Sequence, residues 1–290
     1  MKTDVVVIGA GLFGSMITRY LQKNGLDVVC IDNKEPMAAS KCSFGVWKDG
    51  WINKVIQQEA NEGMDLLEEM TGGIHEMKIF NITKEREDDF KRVDCSQLLL
   101  KDFIQGKVKQ IFHDTVEFEE PNGELGSVFA RKAIVVAAGV WTAKILALQR
   151  GVSMIGLDAV WGATLDIDYK IEQSTVKEWA PYRQSLLLDL GNKVVFGDGC
   201  TVKNPRGGDD PRLEKASTRL LDHFNDATFG LSFSKIKMVN EGWRPYLKKG
   251  SLGFVQKHGD KLFSATGGAK NSTILCGHVA KRILNLIERS

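Results

Sequence analysis

The chain has 290 residues, of which 43% are hydrophobic and 26% charged, and its formal net charge is +2. A chain of this length and composition suits one large or two medium globular domains. Met1-Lys2 leads directly into a predicted strand, and no apolar stretch reaches the roughly 18 residues of a membrane span. We therefore expect neither a signal peptide nor a transmembrane helix.

The five cysteines are scattered, odd in number and never arranged as C-x-x-C. This usage favours a reducing compartment and argues against a structural metal. The five histidines show no ligand spacing either. We therefore predict a cytoplasmic protein (in the host cytoplasm if the gene is viral) without a metal site.

The first 32 residues predict a strand, a glycine turn, a helix and a second strand. Val5–Ile8 is a short apolar run that suits a buried parallel strand, and Gly9–Gly14 reads G-x-G-x-x-G. A helix follows, and Val28–Ile31 forms the next predicted strand, which Asp32 ends. This order, with an acid at this distance, is typical of a dinucleotide-binding unit.

Four residues of this unit have predicted roles. Gly9 permits the tight turn, Gly11 lets the backbone approach a pyrophosphate, and Gly14 lets the helix pack close to the strand. The helix N-terminus offers free N–H groups and a partial positive charge to the phosphates. Asp32 stands where a carboxylate would hold an adenosine ribose. The alternative is a glycine-rich turn without a ligand.

Later elements follow from periodicity, capping residues and turn residues. The charge run Glu85–Lys91 is expected to form a solvated turn. Predicted helices cover residues 52–70, 95–104, 211–225 and the segment after 272. Predicted strands cover residues 77–81, 109–112, 115–119, 126–130, 133–137, 157–167, 183–199, 235–240 and 252–264.

The order of these elements predicts an α/β fold with a Rossmann-like nucleotide-binding domain and an inserted, antiparallel β-sheet substrate domain. The nucleotide-binding domain is discontinuous and is expected to comprise residues 1–50, 93–150 and 253–290. The substrate domain is expected to comprise residues 51–92 and 151–252.

Three further segments carry a resemblance to a known family. Residues 133–142 read A-I-V-V-A-A-G-V-W-T, Gly242–Pro245 reads G-W-R-P, and residues 263–275 are glycine-rich and lead into the last helix. Together with the opening turn, they resemble the D-amino-acid oxidase (DAO) superfamily, which includes glycine oxidase and sarcosine oxidase. The resemblance covers nearly the whole chain, although the chain is shorter than is usual for that family.

The resemblance implies an FAD-dependent enzyme with FAD bound between the two domains. A helix N-terminus preceded by small residues suits the negative charge of a reduced flavin. The implied cofactor-binding residues are Gly9, Gly11, Leu12, Phe13, Gly14, Asp32, Asn33, Ala39, Ser40, Phe44, Gly45, Val46, Val116 (an adenine contact through its backbone), Ala138, Gly139, Gly268, Ala269, Lys270, Asn271, Ser272, Thr273 and Ile274.

The resemblance also implies oxidation of the C–N bond of an amine or amino acid, with hydride transfer to flavin N5, hydrolysis of the imine and reoxidation by O2. Arg244 and Lys270 are the implied catalytic and substrate-binding residues, because a guanidinium pairs well with a carboxylate. The alternatives are a structural, salt-bridged arginine and a solvated loop lysine. Trp47, Trp51, Tyr182 and Trp243 could line the pocket or belong to the core.

Three other functions stay open at this stage. Residues 201–290 hold 16 basic and 8 acidic residues, so an alternative substrate is DNA that carries an amino-acid-modified thymine, as in a phage-type FAD enzyme that converts glycyl-thymidine to aminomethyl-uracil. These basic residues could equally keep the surface soluble. The other two are an NAD-dependent dehydrogenase that uses only the opening unit and a non-catalytic flavoprotein. The sequence does not give the oligomeric state.

Overall fold

The computed structural model describes residues 1–50, 52–149, 152, 156–180, 183–199, 201–206, 209–226, 229, 231–248 and 254–290. Trp51 and Tyr182, two of the aromatic residues considered for the pocket wall, lie outside this part of the chain. No helix of the described residues is both long enough and apolar enough to cross a membrane.

The described chain contains both strands and helices. The strands are β1 (Lys2–Ile8), β2 (Val28–Asp32), β3 (Val46–Trp47), β4 (His75–Asn81), β5 (Arg86–Arg92), β6 (Ile104–Gln105), β7 (Lys107–Phe112), β8 (Thr115–Glu119), β9 (Leu125–Val136), β10 (Leu157–Ile167), β11 (Thr175–Ala180), β12 (Arg183–Asp189), β13 (Val194–Gly197), β14 (Thr201–Lys203), β15 (Ile236–Leu247), β16 (Val255–Lys257) and β17 (Leu262–Ala265). The helices are α1 (Leu12–Lys23), α2 (Lys54–Asn61), α3 (Met64–Thr71), α4 (Cys95–Leu98), α5 (Thr142–Leu146), α6 (Pro211–Phe224) and α7 (Ser272–Glu288).

The first sheet has the order β16-β17-β9-β1-β2-β6, with β8 also paired to β9 and β7 to β8. Its centre is parallel, because β1 pairs in parallel with both β2 and β9, and β17 does so with β9. Val5 and Val7 belong to the core cluster under α1 and α7, whereas Val6 and Ile8 belong to a second cluster on the other face. Because both faces of β1 are buried, an uninterrupted apolar run forms it.

The second sheet has the order β14-β10-β13-β12-β11-β4-β5-β3, and β15 pairs with β10. Its pairs are antiparallel except for β4 and β11, which run parallel. On one face lies α6, whose first turn is capped by the Asp210 carboxylate, which accepts the N–H of Arg212. The predicted mixed α/β fold with a second, mainly antiparallel sheet is confirmed.

Several predicted elements were wrong in detail. The segment from Glu85 to Lys91 is not a turn: β5 occupies it, because Asp88 and Phe90 face inward while their charged neighbours stay exposed. The helix predicted over residues 52–70 is two helices, since Gly63 separates α2 from α3. The reason is a close helix contact: a Cβ on Gly63 would lie 1.9 Å from the backbone nitrogen of His278 in α7.

Three other boundaries also differ. The helix predicted over 95–104 ends at Leu98, the strands predicted over 126–130 and 133–137 are one strand, β9, and β15 extends past residue 240 to Leu247. The last difference matters most, since it places the whole G-W-R-P segment on a strand that pairs with β10.

The division into domains remains a prediction, and two elements depart from it. Strand β3 falls within residues 1–50 but pairs with β5 in the second sheet. Helices α2 and α3 fall within residues 51–92, yet Ala60, Leu66 and Leu67 belong to the core cluster that contains α1 and α7. Chain position alone did not reveal these packing partners.

Candidate active site

A cavity of about 560 Å³ is lined by residues of both sheets. The cavity has two ends. The nucleotide end comprises the Gly9–Phe13 turn, Asp32 and Gly106–Lys109. The substrate end comprises Cys42, Phe44, Thr164, Gln184 and Arg244 with the strands that carry them.

The glycine turn at the nucleotide end is held by close backbone contacts. Gly9 has a φ of +108°, and a Cβ there would lie 2.6 Å from the carbonyl oxygen of Ala137. A Cβ on Gly14 would lie 1.7 Å from the carbonyl oxygen of Gly9. Neither position can hold a larger residue without moving backbone, so helix α1 starts directly against the end of β1.

The first turn of α1 faces the loop that follows β2. The N–H of Leu12 donates to Ser40 Oγ at 3.0 Å, and a Cβ on Gly11 would lie 2.9 Å from the same oxygen. Gly11 itself offers no side-chain cap to the helix. The first N–H groups of α1 and a hydroxyl thus lie together beside the cavity, which is the donor set that a pyrophosphate takes.

Asp32 fixes the turn from the end of β2. Its Oδ2 accepts the N–H of Ala10 at 2.7 Å and its Oδ1 accepts the N–H of Lys34 at 2.6 Å. A carboxylate has about four acceptor positions, so two remain for a ribose hydroxyl. Asn33 donates its amide to Glu35, and Glu35 also lines the cavity, although the sequence did not mark it.

Val116, predicted to contact the adenine through its backbone, does not line the cavity. Its side chain is fully buried near the start of β8, in a core cluster with Ile111 and Val128. The cavity reaches the start of β7 instead, at Gly106–Lys109. Pairing of β6 with β2 brings this segment beside Asp32, whose carbonyl accepts the N–H of Gly106 at 3.0 Å.

The loop after β2 is tied to the first turn of α7. Ser43 Oγ and Thr273 Oγ1 are 2.9 Å apart, and Cys95 Sγ lies 3.5 Å from the Ser43 hydroxyl and 3.6 Å from that of Thr273. Gly45 has a φ of +66°, and a Cβ there would lie 2.3 Å from the carbonyl oxygen of Val93. These contacts hold Phe44 at the cavity wall.

Strand β15 brings the substrate end together. The N–H of Trp243 donates to the carbonyl of Met37 at 2.9 Å, and Tyr246 forms a bridge with Gly268. The strand can approach the loop only because residue 242 is glycine: a Cβ there would lie 2.9 Å from the Cα of Ala39. Arg244 is therefore held between the two flanking segments.

Arg244 is partly buried and lines the cavity. Burial lowers the pKa of its guanidinium, because the charged form loses hydration. No carboxylate within the described part of the chain forms an ion pair with it, so the structural alternative of a salt-bridged arginine finds no support there. Burial also raises the pKa of the nearby Cys42 thiol, an effect that the charge of Arg244 partly offsets.

The segment before α7 closes the cavity. Gly267 (φ +91°) and Ala269 (φ +48°) both adopt left-handed backbone, and Ser272 Oγ donates to the carbonyl of Ala269 at 2.9 Å. Thr266 Oγ1 donates to the carbonyl of Gly139 at 2.9 Å, which joins this segment to the end of β9. Lys270 lines the cavity with an exposed side chain.

Most of the predicted site residues come together at the cavity. Gly14, Val116 and Gly268 do not line it; Gly14 and Gly268 pack behind it, since a Cβ on Gly268 would lie 2.7 Å from the Phe13 ring. Those that line it are Gly9, Gly11, Leu12, Phe13, Asp32, Asn33, Ala39, Ser40, Phe44, Gly45, Val46, Ala138, Gly139, Arg244, Ala269, Lys270, Asn271, Ser272, Thr273 and Ile274.

Sequence reasoning missed the wall that the second sheet provides. This wall of the cavity contains Thr164 on β10, Gln184 and Leu186 on β12, and Gly197 at the end of β13. Gly197 leaves room for Phe44, whose ring would lie 3.1 Å from a Cβ at that position. No local motif marks these residues, because only strand order brings them together.

The described residues fit an FAD. The backbone donors of α1, the acceptors of Asp32 and glycines such as Gly9 and Gly11, whose Cβ atoms would collide with neighbouring atoms, line one continuous cavity. Trp47 gives independent support for a bound ligand. It lines this cavity and is 5% exposed, and its buried indole Nε1 has no hydrogen-bond acceptor among the described residues. A buried N–H without an acceptor indicates a missing polar partner.

Comparison with known proteins gives a family match at the amino-terminal end of the chain. The DAO family, described as FAD dependent oxidoreductase, matches residues 4–93. Digeranylgeranylglycerophospholipid reductase 1 of Methanosphaera stadtmanae is 46% identical over 56 residues, which is 18% of this chain and only 14% of that protein. This match therefore covers a short segment of the reductase.

Two solved structures share the fold over nearly the whole chain. Glycine oxidase from Geobacillus kaustophilus superposes with a TM-score of 0.71 at 16% identity, covering 100% of this chain and 95% of that one. L-α-glycerophosphate oxidase from Mycoplasma pneumoniae, solved with FAD bound, superposes with a TM-score of 0.69 at 11% identity. This match covers 99% of this chain and 95% of that one. The sequence of residues 4–93 thus matches the DAO family of FAD-dependent oxidoreductases, and the fold of the whole chain is similar to that of glycine oxidase.

Proposed function

We propose that this protein oxidises the C–N bond of an amino acid or of another amine that carries an anionic group. The observation that carries the proposal is Arg244, a partly buried guanidinium at the cavity with no carboxylate partner in the described part of the chain. An unpaired, partly desolvated cation has a strong electrostatic preference for an anionic ligand. Its planar donor groups suit a carboxylate held by two parallel hydrogen bonds.

The distribution of acids along the cavity supports binding of the substrate as a free amine. Among the described lining residues, the acids are Asp32 and Glu35, both next to the glycine turn. The substrate end holds the amide of Gln184 and the hydroxyl of Thr164 instead. Without a carboxylate there, an ammonium group gains no ion pair, and the neutral amine is the form that gives up a hydride.

When bound, FAD would supply a two-electron acceptor at flavin N5 for the hydride on the carbon next to nitrogen, and O2 would reoxidise it. The role of the protein is to orient that carbon, with Arg244 holding the anionic group. The oxidised substrate is an imine, which water hydrolyses to a carbonyl compound and an amine or ammonia. Lys270 is proposed to assist from the cavity edge, where it meets either the substrate anion or the flavin.

The fold alone does not select the bond that is oxidised. Its neighbours include a glycine oxidase and an L-α-glycerophosphate oxidase, whose named substrates carry a carboxylate and a phosphate. An arginine at the substrate end suits both anions. The C–N bond is proposed because Gly242–Pro245 resembles the substrate-binding motif of amino-acid oxidases.

The test begins with the purified holoprotein, whose flavin absorbance should bleach anaerobically with the right substrate. We would compare glycine, sarcosine, D-amino acids, glycerol 3-phosphate and DNA with a glycyl-modified thymine. Bleaching by a small amino acid supports the proposal. Bleaching only by glycerol 3-phosphate or only by modified DNA would show that the substrate belongs to that other class. A yellow protein that no amine bleaches would favour a non-catalytic flavoprotein.

The role of Arg244 is tested with Arg244→Met. Loss of a charged hydrogen-bonded pair worth about 2–3 kcal/mol should raise KM about 50-fold while FAD remains bound. Arg282→Lys is the control, because Arg282 is exposed on α7, away from the cavity. An unchanged KM in Arg244→Met would remove the observation on which the proposal rests.

A further inference from the structure

An exposed apolar surface surrounds the first half of β15. Met238 and Val239 on the strand are 50% and 51% exposed, and Tyr169 and Phe233 beside its start are exposed to a similar degree. Because neighbouring side chains alternate along a strand, Met238 and Val239 give each face of this part of β15 one exposed apolar side chain.

The same half of β15 has a backbone edge with which no described segment of the chain pairs. One edge of the strand pairs with β10 along its length. On the other edge, Trp243 bonds to Met37 and Tyr246 bridges to Gly268, so the second half is covered. Strand alternation turns the N–H groups of residues 239 and 241 to the same side as that of Trp243. No segment within the described residues bonds to them there.

Lys237 is also available on this edge. A register shift leaves it without a partner in the ladder with β10, and its side chain is exposed. Lys237 and Glu241 each lack an ion-pair partner within the described ranges. They lie two residues before and two residues after Val239, so the strand is self-complementary about that valine.

We propose that two copies of this chain form a twofold symmetric dimer through antiparallel pairing of their β15 edges around Val239. In this register, the Val239 side chains meet at the axis, and Lys237 of each copy faces Glu241 of the second copy. Opposite charges directly across an antiparallel pair stabilise it. A lysine on an edge strand opposes pairing by itself, but here Glu241 provides its partner.

A single charge reversal tests this register in the full-length holoprotein. Light scattering during gel filtration should give twice the 32.2 kDa chain mass for the wild type. Lys237→Glu places two glutamates opposite each other at both ends of the pair, and Glu241→Lys places two lysines there. Each variant should weaken dimerisation at least tenfold and elute as a monomer with its flavin bound.

Recombining the charges makes the test specific. The double variant Lys237→Glu/Glu241→Lys should dimerise again, and an equimolar mixture of the two single variants should form a heterodimer. Lys215→Glu, an exposed position on α6, is the control and should leave the dimer intact. A wild type that is monomeric at all concentrations, single variants that stay dimeric, or failure of both the double variant and the mixture to dimerise would overturn the proposal.

Discussion

At the nucleotide end of the cavity, the backbone of one continuous segment provides the binding groups, whereas at the substrate end side chains from several distant strands converge. The turn of Gly9–Gly14 is hydrogen-bonded within the first 40 residues of the chain, to Asp32 and Ser40, and packs against Ala137 at the end of β9. Arg244 and Gln184 come together only because β15, β10 and β12 belong to one sheet. The nucleotide end should therefore fail when local geometry is broken, and the substrate end when strand spacing is changed.

The largest effect is expected from Gly14→Val. The new side chain would begin 1.7 Å from the carbonyl oxygen of Gly9, so backbone must move. We expect a loss of about 3 kcal/mol in the free energy of unfolding and loss of bound FAD. Thermal unfolding and the ratio of flavin to protein absorbance measure both.

The control for Gly14→Val is Gly259→Ala, where a Cβ would meet nothing within 4 Å. That variant should change stability by less than about 0.5 kcal/mol and retain its flavin. If Gly14→Val kept its flavin and its unfolding temperature, the tight turn would not be what holds the nucleotide end.

Gly242→Ala should impair the substrate end of the cavity while leaving the nucleotide end nearly unchanged. Its Cβ would lie 2.9 Å from the Cα of Ala39 and 3.3 Å from Cys42 Sγ, so β15 and the loop must move apart by a few tenths of an ångström. Arg244 would be displaced with the strand. We expect kcat/KM to fall about tenfold, equivalent to about 1.4 kcal/mol, while the Kd for FAD changes less than about threefold. An equal loss of FAD affinity would show that the two ends are not separable.

Trp47→Phe tests whether the nucleotide end extends beyond the glycine turn. The substitution keeps a buried aromatic ring but removes the indole N–H that has no acceptor among the described residues. If FAD supplies that acceptor, loss of one hydrogen bond worth about 1 kcal/mol should raise its Kd about fivefold. Trp161→Phe, in the core of the second sheet, should lower stability without changing the Kd. A Kd unchanged in Trp47→Phe would mean that the indole N–H faces another group.

The same contrast explains what the sequence could predict. The G-x-G-x-x-G turn could be recognised because the backbone of adjacent residues must satisfy its geometry. The adenine contact of Val116 was implied by the resemblance and stays a prediction. The lining at Gly106–Lys109 was missed because periodicity identifies a strand but not which of its residues reaches a cavity, and the pairing of β6 with β2 decides that. Thr164 and Gln184 could not be predicted, since their proximity depends on strand order in a sheet built from distant segments.

The smallest effect is expected from Asp88→Asn, which tests the second sheet away from the cavity. Burial by itself would raise the pKa of Asp88, but hydrogen bonds from Asn81 and Lys48 outweigh it and hold the pKa below its usual value. A carboxyl group with a lowered pKa contributes stability above its unfolded-state pKa, near 4, and loses it as the pH falls further. The free energy of unfolding of the wild type should thus exceed that of Asp88→Asn by about 1 kcal/mol at neutral pH. This difference should shrink below about pH 4.

The neighbouring Asp89→Asn is the matched control for this prediction. Asp89 pairs with Lys78 in an ion pair that is largely exposed to solvent, so its removal should change stability by much less at any pH. Chemical denaturation of all three proteins across the acid range measures the difference. Because Asp88 lies on β5, far along the sheet from β15, the kcat/KM of Asp88→Asn at neutral pH should stay close to that of wild type. A large loss of activity with little loss of stability would show that the distant strands of this sheet also control the position of Arg244.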